Sequence, residues 1–333
     1  MRNRLAMLIM LVWVSCCTLG HAGGQVQASS QGGSLSPAVV PTAQPKLSTF
    51  EIARDRQEFT LSPNARLSVT NNFGAVQILA GGPTVVLATA VYALGTDADD
   101  ARLRAADIAI KTGEDGEAGF AISVVSPRDS SEVRADLVLH AAPGTPVEVD
   151  VGPGTVTVTG RDGPITIRSG GGDVRVARCG GPLSVESEYG DVTVESPDDA
   201  VAVRTGGGNV QVTDSVGRLV VRTMGGMITA SDVRSENMDL STMSGDISVG
   251  LARPFSRKLR ARTSEGKIAV TLVQGSDCRV RIGTRWGDIR NELAAVDSSY
   301  QGTNTDGRLG AGKGLVDLAT SLGDITLTLI QDE

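Results

Sequence analysis

Residues 165–194 read ITIRSGGGDVRVARCGGPLSVESEYGDVTV and contain two copies of one pattern. In each copy a glycine, Gly172 or Gly190, is preceded by apolar residues at positions −7 and −5 and followed by apolar residues at +2 and +4. The two glycines are 18 residues apart. Apolar residues that alternate with polar ones predict β-strands with one buried face, and the glycine marks a corner between two strands.

The same pattern extends over most of the chain. It recurs around ten glycines, which we call the frame glycines: Gly74, Gly154, Gly172, Gly190, Gly208, Gly226, Gly245, Gly266, Gly287 and Gly323. Of the forty flanking positions that they define, only Asn291 is not apolar. A short fixed repeat is typical of a solenoid, because one unit cannot bury its apolar face alone but stacked units can.

The length of the unit indicates the geometry of the stack. An interval of 18 residues holds two short strands and two corners, so we predict an all-β, right-handed parallel β-solenoid with one coil per repeat. An antiparallel stack of hairpins is the alternative. Hairpins favour Asn-Gly or Asp-Gly turns, whereas most corners here read Gly-Asp, as in Gly190-Asp191, and this order favours the solenoid.

The N-terminus predicts export. Residues 1–22 combine a basic start, the apolar run Leu5 to Val14 and the small-residue site Gly20-His21-Ala22, which together indicate a signal peptide cleaved after Ala22. Cys16 and Cys17 leave a lipid anchor as an alternative, although neither lies in a good lipoprotein box. The apolar run is too short for a membrane-spanning helix, so we expect no transmembrane span in the mature protein.

Three segments follow the predicted signal peptide. Residues 23–47 are rich in Gly, Gln, Ser, Ala and Pro and predict a disordered linker. Residues 48–146 predict an N-terminal β region and cap that includes the first repeat, with a short helix at Asp100–Ile110. Residues 147–330 predict the regular repeats. Segment Glu292–Gly314, between the last two frame glycines, predicts a degenerate coil or a loop.

Charge and composition limit the partners. The net charge of −7 argues against nucleic-acid binding. Basic residues nevertheless share one outward position, four residues before a frame glycine, and form a candidate partner-binding stripe: Arg168, Arg204, Arg222 and Arg262. Glu186 stands between the first two of them. The stripe is either a solvated face relieved by an Arg-Glu-Arg ladder, which we favour, or a contact surface for an anionic partner.

The sequence indicates no catalytic, metal or cofactor site. His140 has no neighbouring Cys or second His, and the acids that follow the frame glycines do not form a continuous column, so we interpret those acids as hydrogen-bond acceptors for turn amides. A Ser or Thr three residues before most frame glycines has no activating base, which predicts a structural hydroxyl. Cys179 and Cys278 lie about five coils apart and are expected to be free thiols.

Three aromatic residues directly precede frame glycines: Phe73, Tyr189 and Trp286. They could form a sparse track that stacks on sugar rings. Because they lie on widely separated coils, we interpret them as packing at the corners.

The repeated corners resemble a known family. Gly190-Asp191-Val192-Thr193-Val194, Gly245-Asp246-Ile247-Ser248-Val249 and Gly323-Asp324-Ile325-Thr326-Leu327, together with the export signal and linker, are similar to the bacterial domain-of-unknown-function family 4097, which is also labelled adhesin-like. The resemblance covers most of Ser48 to Ile330. It implies a β-solenoid-like protein of the cell envelope without assigned catalytic residues.

These observations lead to one expected function and one alternative. We expect a non-catalytic exported protein of the periplasm or cell surface, adhesin-like or a scaffold, that needs no cofactor and binds an envelope protein or polysaccharide through an elongated solenoid face. The alternative is a carbohydrate-active enzyme, a polysaccharide lyase or hydrolase, built on a β-helix. Such an enzyme needs clustered carboxylates, or a base with a metal, on one face, and the repeat does not concentrate them.

Overall fold

The computed structural model describes residues 47–61, 65–106, 108–114, 119–126, 132–291, 293, 299–301 and 304–331. The predicted signal peptide, and the predicted linker up to residue 46, lie outside the described residues. The described residues form 27 β-strands and one α-helix, α1 at Ala98–Ala105. The strands are β1 Ser48–Thr60, β2 Arg66–Asn71, β3 Val76–Ala80, β4 Thr84–Gly95, β5 Ala109–Glu114, β6 Gly119–Val125, β7 Val133–Ala141, β8 Val147–Val151, β9 Val156–Arg161, β10 Ile165–Ser169, β11 Val174–Cys179, β12 Leu183–Ser187, β13 Val192–Pro197, β14 Val201–Gly207, β15 Val210–Thr213, β16 Leu219–Gly225, β17 Ile228–Val233, β18 Asn237–Ser244, β19 Ile247–Leu251, β20 Lys258–Arg262, β21 Ile268–Val273, β22 Cys278–Trp286, β23 Ile289–Asn291, β24 Ser299–Gln301, β25 Asn304–Leu309, β26 Gly314–Leu322 and β27 Ile325–Ile330.

The strands are arranged in two long sheets. Sheet A has 13 strands in the order β1-β4-β7-β3-β9-β11-β13-β15-β17-β19-β21-β27-β23, and sheet B has 14 in the order β24-β25-β22-β26-β20-β18-β16-β14-β12-β10-β8-β2-β6-β5. Each repeat gives one strand to each sheet, and neighbouring repeats pair in parallel. Val174 of β11, for example, is paired with Val192 of β13, and Ile165 of β10 is paired with Leu183 of β12. The predicted parallel β-solenoid is confirmed, and the antiparallel hairpin alternative is wrong for the repeats.

The space between the sheets is an aliphatic core. Of the forty flanking positions of the frame glycines, all are buried except Ile289 and Asn291 in the short terminal strand β23. Each buried Val, Ile or Leu stabilises the stack by roughly 1.5–3 kcal/mol relative to an exposed side chain. Because this core runs along the whole axis, every interior coil packs against two others.

The frame glycines allow the coils to approach each other closely. A Cβ atom at Gly172 would collide with the carbonyl oxygen of Gly154, and each later frame glycine has the same relation to a frame glycine of the neighbouring coil. The glycine column in the sequence is therefore a steric requirement of the stacked corners.

Buried hydroxyls complete these corners. The eight Ser and Thr residues three positions before the frame glycines are buried and donate hydrogen bonds to backbone carbonyls at or near a frame glycine: Ser169, Ser187, Thr205, Thr223, Thr242, Thr263, Thr284 and Thr320. Thr205 donates to Gly207 of its own coil at 2.7 Å, whereas Thr263 donates to Gly245 of the preceding coil at 2.9 Å. The predicted structural role of this column is confirmed.

An N-terminal cap covers the first coil. The coil formed by β2 and β3 packs directly on β8 and β9, and the intervening chain folds outside it. In the cap β4 pairs antiparallel with β1 and β7, and β5 pairs antiparallel with β6. Phe59 of β1 and Phe120 of β6 bring the two sheets together, with ring centroids 4.8 Å apart.

The helix of the cap differs from its predicted bounds. It was expected at Asp100–Ile110 but lies at Ala98–Ala105. The carboxylate of Asp97 accepts hydrogen bonds from the backbone N–H groups of Asp99 and Asp100, which starts the helix earlier. Strand β5 then begins at Ala109, so the helix also ends earlier.

The last coils are not stacked in sequence order. Strand β26 lies between β20 and β22, and β27 lies between β21 and β23. The coil around Gly323 is thus inserted between those around Gly266 and Gly287. Strand β25 pairs antiparallel with β22 and β24 and returns the chain to the insertion point. Segment Glu292–Gly314 was expected to be a degenerate coil or a loop, but its described part forms the antiparallel strands β24 and β25. Because a coil is inserted, Cys179 and Cys278 are also further apart than the five coils expected.

A buried arginine lies where the cap meets the repeats. Arg161 has no solvent exposure, and its guanidinium donates to the carbonyl oxygens of Ala141 at 2.6 Å and Thr145 at 2.7 Å. Its Nε has no hydrogen-bond partner, and burial lowers the pKa of the guanidinium. Arg161 joins the end of β7 to the first regular coils through backbone carbonyls, a role that its position in the sequence does not indicate.

Candidate binding face

The basic stripe lies on the outer face of sheet B. Arg168, Arg204, Arg222 and Arg262 belong to strands β10, β14, β16 and β20, and they are exposed. The side chains of neighbouring strands are in register, so Arg168 lies beside Glu186, and Arg204 lies between Glu186 and Arg222. The structure therefore brings three of the four predicted residues to one region, whereas Arg262 lies towards the C-terminal end.

Three of these arginines have acidic partners. Arg168 forms ion pairs with Glu148 at 2.7 Å and with Glu186 at 3.9 Å. Arg222 forms one with Asp239 at 3.5 Å, and Arg262 forms one with Asp317 at 2.9 Å. The hydrogen bond that the Arg168 guanidinium donates to Glu148 raises the pKa of that guanidinium. Exposed pairs of this kind contribute about 0–1 kcal/mol each, so they neutralise the face more than they stabilise it.

Arg204 differs from the other three. Within the part of the chain that the structure describes, its guanidinium has no ion pair or hydrogen bond, although Glu186 is its lateral neighbour in the ladder. Glu188, two residues beyond Glu186, is also exposed, and its carboxylate has no partner among the described residues. An unpaired donor, the guanidinium of Arg204, and an unpaired acceptor, the carboxylate of Glu188, thus lie in the same region of the face.

A groove runs across this part of sheet B. Its volume is about 910 Å³, and it extends over five coils, from Asp150 to Met224. Arg168, Glu186 and Arg204 contribute to its lining, as do the glycines that precede several corners. A second groove, lined by Lys258, Arg279 and Arg281 among others, has a volume of about 800 Å³.

Tyr189 stands in the middle of the groove. Its side chain is 66% exposed, and its Cδ1 lies 3.7 Å from the position that a Cβ atom would take at Gly207 of the next coil. The carbonyl of Tyr189 accepts a 2.6 Å hydrogen bond from the hydroxyl of Ser187, which fixes the corner. The glycine pairs Gly170-Gly171 and Gly206-Gly207 lie on the coils on either side of Tyr189. The absent Cβ atom of Gly207 would face the ring, whereas that of Gly206 would collide with the backbone of Glu188.

The predicted corner packing of the aromatic residues holds for only one of them. Phe73 is half-buried and packs against the core. Tyr189 and Trp286 are 66% and 69% exposed, so packing does not account for them. Two methionines on neighbouring coils, Met224 and Met243, are also exposed at 61% and 60%. The sequence pattern did not distinguish the two methionines because they lie outside the alternating positions.

The acids after the frame glycines accept hydrogen bonds from backbone amides, as predicted. Asp173 accepts from the N–H of Asp191, and Asp246 accepts from the N–H of Lys267. The amide in each case belongs to the neighbouring coil. Over the described ranges, no group of three or more His, Cys, Asp and Glu residues is placed to hold a metal ion. His140 lies in strand β7, paired with Val86 of β4.

The two cysteines of the described ranges, Cys179 and Cys278, are free and buried. Cys179 lies in β11 beside Arg161 of β9, and Cys278 begins β22 near the other end of the solenoid. Burial raises the pKa of each thiol to about 11. The prediction of free thiols is confirmed, and neither thiol is ionised near neutral pH.

Comparison with known proteins identifies the family. The model of the Toastrack DUF4097 family matches residues 155–328, which are the regular coils and the inserted C-terminal coil. The chain belongs to this family of β-solenoids. No curated protein is significantly similar in sequence.

Three solved structures resemble the chain at low sequence identity. A protein provisionally described as a cell adhesion protein, from Clostridium sporogenes, is 12% identical, with 84% of this chain and 100% of that chain covered and a TM-score of 0.23. One provisionally described as lipid binding, from Parabacteroides distasonis, is 12% identical, with 83% and 96% covered and a TM-score of 0.47. One provisionally described as an adhesin, from Bacteroides fragilis, is 10% identical, with 84% and 97% covered and a TM-score of 0.36.

The only helix within the described ranges, α1, has eight residues, and no helix there is long and apolar enough to cross a membrane.

Proposed function

We propose that this protein is a non-catalytic, exported component of the cell envelope, adhesin-like or a scaffold, that binds an envelope partner through the outer face of sheet B. One observation carries the proposal: the groove beside Tyr189 presents an exposed aromatic ring, the carboxylate of Glu188 and the guanidinium of Arg204, the last two without partners in the described structure. Unpaired polar groups next to an exposed ring are typical of a contact surface.

The rigidity of the face supports this proposal. Strands β10, β12, β14 and β16 are paired in register along the groove, and every inward side chain of these strands is buried. A surface held by such a ladder loses little conformational freedom on binding, so more of the contact energy contributes to affinity. Solenoids characteristically bind through extended faces of this kind.

Export is proposed from the N-terminal sequence. The basic start, the apolar run and Gly20-His21-Ala22 support cleavage after Ala22 and a periplasmic or cell-surface location. Intact mass measurement of the protein purified from its host tests this point. A mature chain that begins at Gly23 is expected, and a diacylglyceryl group on Cys16 or Cys17 would show lipid anchoring instead.

Binding is tested by sedimentation with cell envelopes. Purified protein that begins at Gly23 is mixed with isolated envelopes, and the bound fraction is measured after washing. We expect saturable retention that is reduced by digestion of envelope proteins or of envelope polysaccharides, according to which of them is the partner. No retention above that of an unrelated acidic β-protein of similar size would overturn the proposal.

The enzyme alternative is tested with the same material. The groove contains several carboxylates, among them Glu186 and Glu188, so hydrolysis or elimination is the competing activity. The chain length of a bound polysaccharide is measured after prolonged incubation, with Glu186→Gln and Glu188→Gln as controls. Unchanged chain length is expected, whereas shortening that either substitution abolishes would establish an enzyme.

A further inference from the structure

We infer that the groove around Tyr189 binds an extended, uncharged polysaccharide, with the tyrosine ring stacked on a sugar ring. This inference rests on the proposed function and names its ligand. It is carried by three features of the groove: the environment of the tyrosine ring, the polar groups that flank the ring, and the balance of charge along the lining.

The ring is exposed, and the backbone that carries it is hydrogen-bonded. Tyr189 is 66% exposed, its Cδ1 faces Gly207 of the next coil, and the hydroxyl of Ser187 donates to its backbone carbonyl at 2.6 Å. An exposed ring costs free energy unless something covers it, because its apolar area stays in contact with water. The C–H face of a pyranose is flat and weakly apolar, so it covers an aromatic face while its hydroxyls stay at the rim.

The flanking polar groups suit hydroxyls. A sugar hydroxyl both donates and accepts hydrogen bonds, whereas a carboxylate only accepts and a guanidinium only donates. Glu188 provides an acceptor and Arg204 provides donors, and neither side chain has a partner in the described structure. Because charge-assisted hydrogen bonds are roughly twice as strong as neutral ones, two such contacts add orientation to the stacking.

The charge balance argues against a polyanion. The groove lining contains the guanidinium groups of Arg168 and Arg204 and the carboxylates of Asp150, Glu186 and Glu188. Arg168 is already paired with Glu148 and Glu186. The lining therefore has no net positive charge to attract a chain of carboxylates, sulfates or phosphates. This part of the basic stripe is neutralised, and an uncharged polymer meets no repulsion.

The length of the groove favours a polymer over a single sugar. It crosses five coils, and coils repeat every ~4.8 Å, which gives roughly 19 Å along the axis. Gly170-Gly171 on one side of Tyr189 and Gly206-Gly207 on the other have no side chains that could block a polysaccharide in either direction. Several sugar units in a row therefore fit, with Tyr189 near the middle.

The experiment measures the affinity of the protein that begins at Gly23 for soluble polysaccharides by titration calorimetry. Dextran, a β-1,3-glucan and a galactomannan serve as uncharged probes, and polygalacturonate and heparin serve as anionic probes. We expect at least one uncharged probe to bind, with affinity lowered at least tenfold by Tyr189→Ala and severalfold by Arg204→Gln or Glu188→Gln.

Two matched controls separate the groove from the rest of the surface. Trp286→Ala removes an equally exposed aromatic residue, at 69% exposure, from a different part of the solenoid, and Arg175→Gln removes an exposed arginine from sheet A. Both are expected to bind like the unsubstituted protein. Equal loss in Trp286→Ala, full binding by Tyr189→Ala, or binding of the anionic probes alone would each overturn the inference.

Failure of this inference is distinguishable from failure of the proposed function. If the protein is retained by envelopes but binds none of the uncharged probes, the polysaccharide inference is wrong and the partner is of another class. If envelopes do not retain it either, the proposed function is wrong as well.

Discussion

The carboxylate of Asp191 accepts a 2.8 Å hydrogen bond from the backbone N–H of Asn209, the equivalent residue of the next coil. Asn209 repeats the arrangement, because its side-chain oxygen accepts from the N–H of Met227 at 3.0 Å. These amides lie at corners, where the chain passes from one sheet to the other. The acidic corner residue therefore links two coils at the point where the strand ladder is interrupted.

This link predicts the effect of two substitutions at Asp191. Asp191→Ala removes the acceptor and is expected to lower the free energy of unfolding by about 0.5–1.5 kcal/mol. Asp191→Asn keeps an oxygen in the same place, as Asn209 does naturally, and is expected to change stability much less. Denaturant titration followed by circular dichroism measures both. Equal destabilisation by the two variants would mean that the negative charge, and not the acceptor, is what the corner uses.

A second column of equivalent residues has an unfavourable backbone conformation, so substitution by glycine there is expected to stabilise the fold. Five consecutive coils place the residue six positions after the frame glycine in the left-handed region, and four of these are not glycine: Arg178, Ser196, Asp214 and Asp232, at φ of 47–56°. This conformation costs a side chain with a Cβ roughly 1–2 kcal/mol. The fifth residue, Gly160 at φ 70°, avoids that cost.

Arg178→Gly is therefore expected to raise the free energy of unfolding by up to about 1 kcal/mol, after the greater entropy of glycine in the unfolded chain is subtracted. Arg178→Val should lower stability, because a β-branched side chain tolerates this region least. The order Gly, then Arg, then Val in thermal midpoint is the measured outcome. A reversed order between Gly and Val would show that the backbone relaxes at this position.

The sequence contained most of the information about the regular coils. Val192 and its equivalents are buried as the alternation predicted, because each flanking position meets the same neighbours in every coil. Thr205 and Asp191 were also interpreted correctly, since a hydroxyl or carboxylate at a repeated corner has few possible partners other than backbone groups. Repetition makes local chemistry predictable because one solution serves every coil.

Features that break the repetition were not predictable in this way. The insertion of β26 between β20 and β22 depends on long-range pairing, and the pattern around Gly323 is the same whichever coil it contacts. Tyr189 is 66% exposed, and the period does not reveal this because it describes only the alternating positions. The candidate groove arises where side chains differ between coils, so it is the part of the molecule that a repeat pattern describes least.

The buried thiols predict a pH dependence. Burial raises the pKa of Cys179 and Cys278 to about 11, from roughly 8.5 in an unfolded chain. The fold therefore favours the neutral thiol. This contribution to stability is fully present below about pH 8.5 and is lost as the pH rises towards 11.

Thiol alkylation at pH 8 tests the burial that raises both pKa values. Iodoacetamide is expected to leave both cysteines unmodified in the native protein and to modify both in urea, as read from intact mass. Cys179→Ser and Cys278→Ser assign any single modification. Rapid modification of either thiol without urea would show that its coil opens locally or that the thiol is not buried.

Addition of a single methyl group at a frame glycine is expected to destabilise the fold more than any other substitution considered above. A methyl group at Gly172 would collide with the carbonyl oxygen of Gly154, and Gly172 has no positive φ that would add a separate conformational cost. Relief of the collision requires the two corners to move apart, which opens the aliphatic core on both sides of them. We expect Gly172→Ala to lower the free energy of unfolding by about 2–4 kcal/mol.

Gly225→Ala is the matched control, because a Cβ atom at this corner glycine has no atom within 4 Å. That substitution should leave stability unchanged or raise it by about 0.4–1 kcal/mol through the unfolded chain. Thermal midpoints measured at one protein concentration compare the two. Similar midpoints would mean that the corners have room to separate, and close approach of neighbouring coils would then not be the reason for a glycine at each of these positions.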